Sequence, residues 1–177
     1  MGFDRSAAAD WYRRNRARSS ALFDLLEDEA YYSRPIALRH PIVFYEGHLP
    51  GFSFNTLVKK GLQGASIDAR LEALFARGID PHEDKAEGQK AGGQEGKGQK
   101  AGRQEGWPSR DAVRAFAAEA DRQVLDAILH GDVDQPGHPL LDHAEAVFTI
   151  LEHEVMHQET LLYMWHQLPF AQKRAPA

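Results

Sequence analysis

The chain has 177 residues, of which 42% are hydrophobic and 27% charged, with a formal net charge of −5. These values are typical of one soluble globular domain, so we expect residues 1–177 to form a single domain without a basic surface for nucleic acid. Because cysteine is absent, disulfides, thiolate ligands and a cysteine nucleophile are excluded, and a metal ion would need imidazole or oxygen ligands. The sequence shows neither an apolar run of membrane-spanning length nor a signal peptide, so we expect a cytoplasmic protein without membrane contact.

Helical periodicity begins near the N-terminus. Apolar and charged residues alternate with a helical period from about Ser6 to Tyr31, and the arginines of this stretch are expected on its solvent face. A second helix is predicted to begin near Pro41, and Pro50 should kink or end it because proline has no N–H for the helical hydrogen bond. The predicted inner stripe of this second helix includes a histidine: Tyr45, His48, Leu49 and Phe52.

A low-complexity segment interrupts the chain after a short predicted helix at 66–77. Residues 80–106 are almost devoid of apolar side chains, and GQKAGGQEG at 88–96 recurs with one change at 98–106. Such a composition buries too little surface to offset the entropy lost on ordering. We therefore predict a long disordered insertion that arose by tandem duplication.

Two long helices are predicted in the second half. One begins after the N-cap residue Ser109 and ends at His130, and the other extends from about Leu140 to Gln167. The predicted inner face of the last helix is Val147, Ile150, His153, Glu154, His157, Leu161 and Met164. Four main helices and no convincing strand favour an all-α, antiparallel four-helix bundle.

The last helix contains the pattern H-E-x-x-H, in which His153 and His157 lie one turn apart and could share a metal ion. Zinc proteases carry this signature with the glutamate, here Glu154, as general base. Their extended motif has glycine and histidine where this chain has Thr160 and Tyr163, so that class is disfavoured. With a third inner-face histidine on another helix, three neutral imidazoles would leave coordination positions open, as in a catalytic metal site.

Two stretches carry a resemblance: residues 34–52, which contain G-H-L, and HEVMHQETL at 153–161. Together they resemble the N-terminal DinB-like domain of the non-haem iron sulfoxide synthases of ergothioneine biosynthesis, and of relatives that make selenoneine. The resemblance implies a ferrous iron site formed by His48, His153 and His157. It also implies an oxygen-dependent reaction that joins a thiol or a seleno-sugar to the imidazole of trimethylhistidine. Glu154 and Gln158 are candidates for hydrogen-bonding the ligand histidines, or are residues of the helix surface.

The chain departs from this family in two respects. Family members continue into a domain resembling the formylglycine-generating enzyme, which supplies much of the substrate pocket and a catalytic tyrosine, whereas this chain stops after Arg174-Ala-Pro-Ala. The chain therefore resembles the first half of such an enzyme, whether it is the product of a truncated gene, a split protein or a fragment. We expect it to be inactive or weakly active unless a second domain acts in trans. Met156 stands where some ergothioneine members have a polar residue that touches substrate, which leaves the choice between sulfur and selenium open. The alternatives are a metal-dependent thiol S-transferase of the DinB-like group and a non-catalytic helical module or relic.

Overall fold

A computed structural model describes residues 2–78 and 106–176. These residues form five α-helices: α1 Arg5–Asp24, α2 Ile42–Ser53, α3 Ala69–Phe75, α4 Arg110–His130 and α5 Glu145–His166. They contain no strand beyond an isolated antiparallel bridge between Leu26 and Lys173, which confirms the all-α prediction. The predicted insertion at 80–106 lies, apart from Gly106, outside the described residues. None of the described helices combines the length and the apolar character needed to cross a membrane.

Local sequence predicts the start of α4 but not the end of α1. Ser109 caps α4 as expected, by accepting a hydrogen bond of 3.3 Å from the Ala112 amide. In contrast, α1 ends at Asp24 and not near Tyr31. The backbone just after α1 pairs instead with the C-terminal segment, where the Glu27 amide donates to the Gln172 carbonyl at 3.0 Å. This long-range pairing leaves no periodic signal in the sequence.

Helix α2 passes through Pro50 and does not end there. It continues to Ser53 and then becomes a π-helix at Phe54–Gly61. All residues from Ile42 to Gly51 are buried, so α2 is surrounded by protein on every side. Because neighbouring helices cover it, the loss of one internal hydrogen bond at proline is tolerated, and the single stripe predicted for this helix was too narrow. Single-turn π segments are frequent near functional sites.

The four long helices form a ring in which α1 and α2 each lie between α4 and α5. Helices α1 and α4 are antiparallel, since Arg5 donates to the Ile128 carbonyl at one end and Arg110 to the Phe23 carbonyl at the other. Ring contacts at both ends of the shared interface show that α2 and α5 are also antiparallel: Tyr45 with His157 and Phe52 with His153.

The other two neighbouring pairs are parallel. Asn15 donates to the Leu151 carbonyl and Trp165 to the Leu22 carbonyl, so α1 and α5 run in the same direction. Helices α2 and α4 are parallel as well. Glu46 pairs with Arg114 near the starts of the two helices, and Leu62 lies close to Gly131 beyond their ends. The bundle is therefore antiparallel in only part of its interfaces. The long connection from Gly61 to Arg110 allows this arrangement, because it returns the chain to the end from which α2 started.

Candidate metal site

Three histidines meet at the interface between α2 and α5. One nitrogen each from His48, His153 and His157 lies within 4.8 Å of the other two, close enough for one ion to contact all three. The ring centroid of His48 is 5.1 Å from that of His153 and 5.0 Å from that of His157. The structure thus brings the three predicted ligands together from two helices, and metal binding by them stays a prediction.

Aromatic rings hold two of these imidazoles. Phe44 stacks on His48 at 4.8 Å between centroids, and Phe52 stacks on His153 at 3.5 Å with an interplanar angle of 11°. His48 and His157 are buried and His153 is half-buried, so the cluster opens to solvent on the His153 side. Stacking restricts the rotation of the rings and keeps their nitrogens in the cluster.

The hydrogen bonds of the three rings are incomplete. The Nδ1 atom of His48 lies 2.7 Å from the Phe75 carbonyl oxygen, which can only accept, so Nδ1 carries the proton and Nε2 keeps its lone pair. Within the described residues, His48 Nε2, His153 Nδ1 and both nitrogens of His157 are buried and have no hydrogen-bond partner. Buried polar atoms without partners are rare and costly. A bound ion would give a partner to one nitrogen of each ring, so this donor set fits a metal.

Burial also keeps the histidines in the form that binds metals. Burial and, to a smaller extent, the neighbouring His157 and His48 lower the pKa of His153 to about 2. Burial, His48 and Arg39 lower the pKa of His157 to about 3. Burial lowers the pKa of His48 as well, although its hydrogen bond to Phe75 acts in the opposite direction. All three imidazoles are therefore neutral near pH 7, as metal ligation requires.

Comparison with known proteins places the chain in a family. The sequence model that defines the DinB superfamily matches residues 12–161. The chain belongs to the DinB superfamily. Ergothioneine biosynthesis protein 1 of Neurospora crassa is 31% identical over 143 residues, which cover 81% of this chain and 15% of the fungal protein. The protein of the same name in Schizosaccharomyces pombe is 29% identical over 144 residues, which cover 81% of this chain and 17% of that protein.

These matches confirm the resemblance inferred from residues 34–52 and 153–161. They also set its extent, because this DinB-family chain spans less than a fifth of the length of either fungal relative. The histidine cluster lies within the matched range of residues 12–161, which also contains α2, α3 and α4 and most of α1 and α5.

In the part of the chain that the structure describes, Glu154 and Gln158 form no hydrogen bond to the three clustered histidines. Glu154 Oε1 accepts from Arg16 at 2.8 Å and from Ser19 at 2.5 Å, both on α1. The Gln158 amide donates to the Asn15 carbonyl at 3.0 Å and to the Ser19 hydroxyl at 3.1 Å. Neither residue is on the helix surface, because both are buried against α1. The predicted role beside the ligands is thus not seen, and Glu154 is not placed as a general base for the histidine pair.

Sequence reasoning missed the charged network that engages Glu154. Arg16, expected on a solvent face, is buried apart from 17% of its side chain and bridges Glu154 and Asp121 at 2.8 Å each. The Tyr12 hydroxyl donates to Asp121 at 2.7 Å, and burial, followed by the nearby Asp121 charge, raises the pKa of Tyr12, so the hydroxyl keeps its proton. One available signal was Glu154 itself: a carboxylate on a predicted inner face requires a buried cation.

Proposed function

We propose that this DinB-family domain binds ferrous iron through His48, His153 and His157. The observation that carries the proposal is the set of buried imidazole nitrogens without hydrogen-bond partners, all within one small cluster. Three neutral nitrogen ligands suit a divalent transition metal and leave its charge uncompensated. Such a site leaves positions open for an anionic donor, in contrast with a closed structural site.

We further propose that the domain belongs to an enzyme that joins a thiol or a seleno-sugar to the imidazole of trimethylhistidine, with dioxygen as the oxidant. The support is the similarity to two fungal proteins named for ergothioneine biosynthesis. A ferrous ion would supply the one-electron chemistry that dioxygen needs. The chain's own residues would hold that ion, with Phe44 and Phe52 fixing the orientation of two ligand rings.

The matched region covers 15% and 17% of the fungal proteins, so we propose that further residues of the substrate pocket come from elsewhere. A domain resembling the formylglycine-generating enzyme would supply them together with the catalytic tyrosine. Residues 1–177 would then form the iron-binding part of the enzyme.

Metal binding is tested first with the chain by itself. Tag-free protein is purified anaerobically, ferrous iron is added, and bound iron is measured after desalting. We expect one ion per chain in the wild type and loss of that ion in His48→Ala, His153→Ala and His157→Ala. The control is His130→Ala, because this histidine is exposed at the end of α4 and does not belong to the cluster.

Unchanged stoichiometry in all three cluster variants would exclude the site. If iron binds, the loaded protein is incubated with trimethylhistidine, dioxygen and either a thiol or a seleno-sugar, with and without a formylglycine-enzyme-like partner. A product with a new carbon–sulfur or carbon–selenium bond at the imidazole supports the synthase, and the productive donor identifies the chalcogen. Oxygen-independent transfer of the thiol to another electrophile would instead identify a DinB-like thiol S-transferase, which can use the same three-histidine cluster.

A further inference from the structure

The short helix α3 lies outside the ring of four long helices, yet it contacts the histidine cluster. The backbone carbonyl of Phe75, the last residue of α3, accepts the 2.7 Å hydrogen bond from His48 Nδ1. This is a contact between residues 27 positions apart in the chain. It decides which nitrogen of His48 remains available inside the cluster, since a neutral imidazole has one donor and one acceptor.

A glycine explains how Phe75 comes so close to α2. A Cβ atom on Gly47 would lie 2.2 Å from the Cζ atom of the Phe75 ring and 2.4 Å from its Cε2 atom, so no other residue leaves room for this ring. One turn later, a Cβ atom on Gly51 would lie 3.3 Å from Phe75 Cβ. The side chain of Phe75 therefore packs with its ring on Gly47, directly before His48, and with its Cβ atom near Gly51, three residues after His48, and it is fully buried there.

Glu72 anchors α3 to the rest of the protein. Its Oε1 atom accepts hydrogen bonds from the Ser66 hydroxyl at 2.7 Å and from the backbone amides of Ile67 at 2.6 Å and Asp68 at 3.0 Å. Its Oε2 atom pairs with Lys59, which lies on the π-helix that continues α2. The carboxylate is buried, and hydrogen bonds to it are stronger than those between neutral groups. Helix α3 is thus attached to α2 through the Phe75 carbonyl and to the π-helix that continues α2 through Glu72.

We propose that α3 orients the metal site: Phe75, seated on Gly47 and anchored through Glu72, is a positioning residue that holds His48 with its proton on Nδ1 and its Nε2 lone pair in the cluster. The consequence for iron rests on the proposed function. The tautomer itself is a property of the metal-free protein. Partners that orient a ligand histidine in this way commonly change metal affinity by about 10–100-fold.

Nitrogen NMR of the metal-free protein, labelled with ¹⁵N in the histidine rings, tests the proposal directly. At neutral pH we expect His48 to show a protonated Nδ1 and an unprotonated Nε2. A His48 ring with its proton on Nε2 in the wild type would overturn the proposal, whether or not any variant folds.

Gly47→Ala should displace the Phe75 ring, weaken the hydrogen bond to His48 and shift its proton toward Nε2, with a loss of iron affinity of about tenfold or more. Gly78→Ala is the matched control, because a Cβ there meets nothing within 4 Å. Adding Phe75→Leu to Gly47→Ala removes the ring atoms that clash and should restore part of the Nδ1-protonated form. A folded Gly47→Ala protein with unchanged tautomer and affinity would contradict the proposal. If the wild type shows the expected tautomer but binds no iron, the proposed function fails while the positioning role stands.

Discussion

The two faces of α5 bury polar groups in opposite ways. On the face toward α2, His157 is fully buried and neither of its ring nitrogens has a hydrogen-bond partner within the described residues. On the face toward α1, Gln158 donates two hydrogen bonds, and Glu154 Oε1 accepts two, although Oε2 has no partner. Residues adjacent in the sequence, His157 and Gln158, therefore belong to opposite kinds of environment.

This difference separates what the fold needs from what the proposed chemistry needs. On the face toward α1, the protein itself supplies partners for the Gln158 amide and for Glu154 Oε1, although not for Glu154 Oε2. The imidazoles that face α2 have buried nitrogens without partners, which lowers the stability of the metal-free protein. Those nitrogens gain a partner only when a metal ion or another ligand binds. In the H-E-x-x-H pattern, the two histidines thus lie on the face of α5 toward α2, whereas Glu154 lies on the face toward α1.

The largest expected effect is a difference in stability between substitutions on the two faces of α5. Glu154→Leu leaves Arg16 buried with Asp121 as its remaining carboxylate, and we expect a loss of about 3–5 kcal/mol in the free energy of unfolding. His157→Leu removes two unsatisfied nitrogens, so the metal-free protein should be nearly unchanged or more stable. Urea unfolding of both metal-free variants measures the contrast. Equal destabilisation by the two substitutions would show that the faces do not differ in this way.

Local periodicity predicts a large part of this fold. It identifies α4 almost to the residue and the buried face of α5, on which, of the seven predicted residues, all but the half-buried His153 are buried. It cannot predict where α1 ends, because the C-terminal segment pairs with residues 25–27. It predicts that Pro50 kinks or ends α2; the helix does not end there but continues to Ser53, where tertiary packing surrounds it on all sides.

The cluster itself is only partly visible in the sequence. His153 and His157 follow from helical spacing, whereas His48 joins them through the family resemblance and through its place on a buried helix. The partner of His48 is a backbone carbonyl, and a backbone atom has no side-chain signature that sequence reasoning could detect. The burial of Arg16 was missed because its charged neighbours on α1 are mostly exposed and give the helix a solvated appearance.

A smaller effect is expected within the network that faces α1. Tyr12→Phe removes the hydroxyl that donates to Asp121 but keeps the buried ring, and it should cost about 1.5–3 kcal/mol because the acceptor is charged. Iron stoichiometry should stay as in the wild type, since Tyr12 joins α1 to Asp121 on α4, whereas the cluster lies between α2 and α5. Thermal unfolding and iron content, measured on the same preparation, check both expectations. Loss of iron with retained fold would mean that the network also controls the cluster.

The smallest effect is expected on the exposed side of α5, where a substitution should change neither stability nor iron binding. Met156 directly precedes a fully buried histidine, yet it is 49% exposed, since successive helical residues point about 100° apart. Met156→Gln should therefore change the unfolding free energy by no more than about 0.5 kcal/mol and leave iron affinity within twofold. Isothermal titration with ferrous iron and urea unfolding measure these values. If stability and iron affinity are unchanged while the preference between thiol and seleno-sugar changes, Met156 acts on the donor alone. A large loss of iron affinity would instead show that the exposed side of α5 is coupled to its histidine face, and the division of this helix into independent faces would be wrong.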